Sequence, residues 1–101
     1  MITGIQLKRG ESLICDIIEE NEDHYVIEKP LLMVLVPQEQ PGRYGIELFP
    51  YNPFTSDSRQ KLPIDMVATP FNVKPELRNK YTLFFGGIQV PETGIKSLIR
   101  D

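Results

Sequence analysis

His24, Cys15 and the carboxylates Glu19, Glu20, Glu22 and Asp23 have the widest chemical range of the side chains in this 101-residue sequence. A catalytic imidazole needs a nucleophile beside it, and no serine or cysteine stands at a suggestive position relative to His24. Cys15 lies within the apolar run from Ser12 to Ile18, where burial would leave a thiol inert. One cysteine cannot form an internal disulfide, and one cysteine with one histidine cannot make a structural zinc site. The four carboxylates lack the alternation and glycine of a calcium loop, so they read as a solvated turn. Gly86-Gly87 lacks the lysine and the following helix of a phosphate loop, and it reads as a helix stop. The expectation is a chain with no catalysis, no cofactor and no metal.

These residues must be positioned by a small framework. The chain is 41% hydrophobic and long enough for one domain, residues 1–101, with only a modest core. The N-terminal MITGIQLKRG has no apolar signal core, and no apolar run approaches the ~18 residues of a membrane span. A reducing, cytoplasmic setting follows as an expectation. The net charge of −3 argues against indiscriminate binding to phosphate backbones, so any nucleic-acid site would be local.

The framework is organised around residues 10–36. Ser12 to Ile18 and His24 to Val36 are rich in Ile, Leu and Val, and the polar EENED between them interrupts any helical face, so they read as a hairpin. Asn21 and Asp23 supply the turn, since short amide and carboxylate side chains bond the local backbone and tolerate left-handed dihedrals. Leu13, Cys15 and Ile17 share one face of the second strand while Ile14 and Ile18 occupy the other, as in a strand bending around a small barrel. Pro30 marks a bulge or sharp bend in the third.

A first strand is expected over Ile2 to Lys8, ending at the Gly10 turn, and a fourth over Tyr44 to Phe49 after the turn-rich PQEQPGR. Tyr51 to Gln60 reads as a surface loop. A fifth strand, at an edge, is expected over Ile64 to Thr69, limited by Pro63 and Pro70. From Lys74 the period changes: Leu77, Tyr81, Phe84 and Phe85 form a helical stripe with Pro75 in the first turn, leaving Arg78, Asn79 and Lys80 toward solvent. The helix spans 74–85, and an end segment follows at 88–101. The fold class is mainly β: a small, strongly bent five-stranded barrel with a C-terminal helix.

Residues 5 to 28 resemble the first motif of the Sm-like (SH3-like barrel) family of Sm and Lsm proteins and bacterial Hfq. Leu7-Lys8-Arg9-Gly10, Leu13, Cys15, Ile17, Asn21 and His24-Tyr25-Val26 fall at its spacings. Cys15 stands where glycine is usual, Asn21 where aspartate is usual, and Tyr25 where an RNA-contacting asparagine is usual. The second motif would fall at Leu62-Pro63-Ile64, without its arginine and glycine, and the family's N-terminal helix is missing. Phe49-Pro50-Tyr51 and the aromatic helix with its glycine turn look most similar to Sm-like proteins of tailed phages of marine bacteria.

The resemblance implies a homo-oligomeric ring of about five to seven copies that binds single-stranded RNA in the cytoplasm of a bacterial host. It places RNA contacts at Asn21, His24, Tyr25, Pro63 and Ile64, with His24 and Tyr25 in the position that stacks a base. In any small barrel such a pair more often simply packs on its strand. Lys8 and Arg9, and the Arg78/Lys80 face, are candidate phosphate contacts against the ordinary reading of solvated charge. The alternative function is a structural or protein-interaction module of a phage particle, without nucleic acid.

Overall fold

A computed structural model describes residues 1–86. Gly87 and the segment 88–101 anticipated above lie outside the described residues. Strands β1 (Ile2–Leu7), β2 (Ser12–Glu20), β3 (His24–Pro37), β4 (Tyr44–Pro50), β5 (Arg59–Pro63) and β6 (Val67–Phe71) precede one helix, α1 (Pro75–Phe84). They form an antiparallel six-stranded sheet in the order β4-β3-β2-β1-β6, with β5 pairing β3 off that path. The sheet is mainly consecutive hairpins and does not close on itself.

The fifth strand expected over Ile64 to Thr69 is corrected. That stretch opens with a 3-10 turn, Ile64–Met66, between β5 and β6. Pro63 ends β5, and the chain turns there rather than starting a strand. The expected loop is correspondingly shorter, since Arg59 and Gln60 already pair with Glu28 and Ile27. Pro70 lies within β6, which among the described residues pairs only with β1; an edge strand tolerates the missing N–H.

The expected bend in β3 is at Lys29–Pro30. Up to Glu28 the strand pairs with β5, and from Leu31 it pairs with β4. Against β2, Ile14 faces Leu31 and Asp16 faces Glu28, so Lys29 and Pro30 together stand opposite Cys15. This is a bulge, and Lys29 is left-handed at φ 51°. A second bulge puts Ile18 between the paired residues Ile17 and Glu19, which explains why Ile18 is 36% exposed rather than a member of the inner face.

β2 is paired along both edges, and side-chain clusters cover both its faces. Leu13 and Cys15 join Ile5, Leu7, Ile27 and Leu62 in one cluster, with Ile17, Tyr25 and Val67 packed on it. On the other face Ile14 meets Leu31, Leu48, Val73 and Tyr81. Each fully buried aliphatic side chain contributes about 1.5–3 kcal/mol of transfer free energy.

The helix begins with Pro75 in its first turn and stops at Gly86, whose φ of 76° is the left-handed geometry expected after a helix C-cap. Its apolar stripe is narrower than its period implies. Tyr81 is buried and Leu77 packs beside it, but Phe84 remains 46% exposed and Phe85 37% exposed. Phe85 packs edge-on against Tyr81 at 5.1 Å instead of entering the sheet. Lys80 is exposed, yet its ammonium donates to the Ile46 carbonyl.

Candidate nucleic-acid interface

The hairpin between β2 and β3 closes with the Asn21 N–H donating to the His24 carbonyl at 2.9 Å, leaving Glu22 and Asp23 at its tip. Neither Asn21 nor Asp23 takes a positive φ, so this is not one of the left-handed hairpin turns. Their side chains also bond the imidazole of His24, a contact not expected from the sequence. His24 Nδ1 lies 2.6 Å from Asp23 Oδ1, and Nε2 lies 3.1 Å from Asn21 Nδ2. Nδ1–H donates to the Asp23 carboxylate, and Nε2 meets the Asn21 amide. With both nitrogens engaged, His24 has only the exposed part of its ring left for a ligand, the side chain being 23% exposed.

The Asp23 carboxyl is held below the usual carboxylate range, first by its hydrogen bond with His24 and then by the attraction of that same side chain. Asp23 is itself 88% exposed, so solvent weakens the interaction.

Across the strand pair, His24 stands opposite Pro63 and Tyr25 opposite Leu62. The Ile64 N–H donates to the Asp23 carbonyl at 3.0 Å and ties the 3-10 turn to the hairpin tip. Asn21, His24, Tyr25, Pro63 and Ile64 are therefore brought together at one end of the sheet. Tyr25 is half-buried against the cluster of Ile5, Leu13 and Leu62, so its ring is partly committed to the core.

The basic residues are divided. The Lys8 N–H donates to the Met66 carbonyl at 2.8 Å, which sets Lys8 beside the far end of the 3-10 turn with its side chain exposed. Arg9 pairs with Glu11 at 3.2 Å, so its guanidinium already has a counter-charge. Lys61 is a residue that sequence reasoning missed. It pairs opposite Val26 and acts electrostatically on Asp23, and only recognition of β5 could have placed it there. Glu19, Glu20 and Glu22 are exposed nearby, which makes the tip acidic overall. A ligand gains more here from base stacking and hydrogen bonding than from phosphate neutralisation.

Cys15 is fully buried, and its thiol pKa is pushed up to about 12, chiefly by burial and then by Asp16. Among the described residues no group of three or more His, Cys, Asp or Glu side chains is arranged to hold a metal ion, and no helix is long and apolar enough to cross a membrane.

Neither the scan against protein-family models nor the search of curated proteins finds a match to this chain.

Proposed function

We propose that this chain is an Sm-like barrel subunit that assembles into a homo-oligomeric ring and binds single-stranded RNA, without catalysis of its own, in RNA processing or regulation. The reading extends to a phage protein acting inside a bacterial host. It is supported by the strong bend of β3, the 3-10 turn between β5 and β6, and the outer edges of β4, β5 and β6, which are unpaired among the described residues. Unpaired strand edges invite addition of another chain, and a head-to-tail contact that closes yields a ring.

The observation that carries the reading is the bond from Ile64 N–H to the Asp23 carbonyl, which joins the two segments expected to contact RNA. The exposed parts of the His24 and Tyr25 rings supply two aromatic surfaces. Stacking contributes about 1–3 kcal/mol per base, and a ring repeats the contact, so individually weak contacts sum through effective concentration.

The test is fluorescence anisotropy with labelled oligo-U and oligo-A over a series of salt concentrations. Parent protein should bind with a shallow salt dependence, because few phosphates are neutralised. His24→Ala and Tyr25→Leu, each confirmed to keep the parent's oligomeric mass, should weaken binding by about five-fold or more. No affinity at low salt in the parent refutes the reading.

One observation favours a second function, a structural or protein-interaction module. Leu35, Tyr44 and Phe49 of the β3–β4 hairpin are exposed at 66%, 65% and 47%, and Phe54 beyond it at 96%. Apolar exposure gathered on one hairpin suits a protein partner.

A further inference from the structure

A cavity of about 260 Å³ at the bend of β3 is separate from the turn site. It lies between the loop joining β4 to β5 and the end of α1, and its walls include Lys29, Asn52, Asp57, Gln60, Phe84 and Phe85. Phe84 and Phe85, at 46% and 37% exposure, meet edge-to-face at 5.1 Å and leave ring surface open. Lys29 Nζ sits 5.4 Å from the centroid of Phe85. Asn52 uses its side-chain oxygen to accept the Phe54 N–H at 3.3 Å, which leaves its NH2 group to donate. Gln60 is half-buried, and among the described residues its amide has no hydrogen-bond partner. Asp57 is exposed beside it and has no cationic partner among the described residues.

We propose that this cavity is a second base-binding subsite, taking one amino-bearing nucleobase (adenine, cytosine or guanine) of a single strand. Pockets for drug-sized ligands span roughly 300–1,000 Å³, so a cavity below that range admits one ring system and not a larger ligand. The exposed phenylalanines supply a stacking face, which any base can use. Base identity comes from the rim. The Asp57 carboxylate only accepts hydrogen bonds, so it pairs with an exocyclic amine, while the Gln60 amide both donates and accepts along the same edge. Uracil has no exocyclic amine and offers the carboxylate only its ring N3–H, flanked by two carbonyl oxygens that repel it. Lys29 supplies a point charge for the phosphate of the bound nucleotide.

The subsite is within reach of a strand held at the turn. His24 and Lys29 are separated by roughly 16 Å at about 3.3 Å per residue of extended chain, so a short oligonucleotide spans both. The inference rests on the single-stranded RNA reading and adds to it a base preference that the turn residues do not set.

The experiment compares oligo-A, oligo-C and oligo-U of equal length by fluorescence anisotropy. The proteins are the parent, His24→Ala, Phe84→Ala, Gln60→Met and Asp57→Asn, each checked for the parent's oligomeric mass and melting behaviour. Phe84→Ala should weaken oligo-A and oligo-C by about ten-fold and oligo-U much less. Asp57→Asn should narrow the gap between oligo-A and oligo-U. Gln60→Met keeps the side-chain length on β5 and tests the rim even if the helix variant fails to fold. If the parent binds RNA and His24→Ala weakens it, but Phe84→Ala and Gln60→Met leave oligo-A affinity unchanged, the subsite is refuted and the turn site stands. Loss of binding to every oligonucleotide in the parent refutes both. Ligand-observed saturation transfer with AMP and UMP gives a readout at the level of one base: signal from AMP that Gln60→Met abolishes supports the subsite, and equal signal from both nucleotides overturns its preference.

Discussion

The hydroxyl of Tyr81 donates to the carbonyl oxygen of Lys29 at 2.8 Å, joining residues 52 apart in the chain. Lys29 is left-handed at φ 51°, a conformation that costs a non-glycine residue about 1–2 kcal/mol. Its neighbour Pro30 has no N–H to give. The Lys29 N–H donates to the Ser58 carbonyl and the Pro30 carbonyl accepts from the Tyr51 N–H, while the helix supplies the donor for the Lys29 carbonyl. Burial, followed by the nearby Cys15, Asp16 and Glu28, raises the Tyr81 phenol above its ordinary range. It remains a donor where an exposed tyrosine would ionise.

Removing only that hydroxyl, in Tyr81→Phe, should lower stability by about 0.5–1.5 kcal/mol. Tyr81→Ala also empties the space beneath α1 and should cost about 3–5 kcal/mol. Urea denaturation monitored by circular dichroism measures both, and a Tyr81→Phe curve superimposed on the parent's would show that the bend needs no anchor.

Cys15 should be silent toward thiol reagents while the protein is folded. Its side chain is fully buried, and a pKa of about 12 leaves almost no thiolate at pH 8. A colourimetric disulfide reagent should react fully in denaturant and at least a hundred-fold more slowly without it, by the order of the unfolded population. Fast stoichiometric labelling of native protein would contradict this burial.

Acid sensitivity should include a contribution from Asp23. Its folded carboxyl binds a proton less tightly than the ordinary value near 3.9. The stability it contributes is therefore complete above that value and is lost as pH falls through the lower folded value. Comparing melting temperatures of the parent and Asp23→Asn from pH 7 to 2.5 should show a small advantage for the parent that vanishes at the acid end and shrinks in high salt. An advantage that grows on acidification would reverse the assigned sign.

Native mass spectrometry at micromolar concentration should find a closed assembly of about five to seven subunits, joined between the β4 edge of one copy and the β6 edge of the next. A stable contact needs to bury on the order of 800 Å² per partner. A monomer alone would remove the ring from the proposed function.

Much of the fold was legible because its residues obey local rules. Ile5, Leu7, Leu13 and Cys15 alternate as strand residues and are buried, and Pro75 and Gly86 punctuate the helix as their backbones require. Pro30 located the bend. The division of the last strand was not legible, because Pro63 and Pro70 look alike as strand limits, although one ends β5 and the other sits within an edge strand. Phe84 illustrates a related loss: helical period counts it with Leu77 and Tyr81, but only the docking of α1 decides that it stays outside. At the turn, Asn21, His24 and Tyr25 were marked by a family pattern. Their grouping with Pro63 and Ile64 depends on the β3–β5 register, which sequence spacing does not carry.

The placement of β1 has a consequence for the order of synthesis. Ile5 pairs with Leu13 on one side and with Pro70 on the other, so β1 leaves the ribosome before β2 to β6 and waits for β6 to complete its neighbours. The hairpin of β1 and β2 can form as soon as it emerges, but its outer edge stays open until β6 follows. Contacts of such wide sequence separation are slow to form, and exposed edges are adhesive during the delay. A chain stalled after β5 would present the edge of β1 to its surroundings, which makes translation pace through residues 64–71 a determinant of how much native protein is recovered.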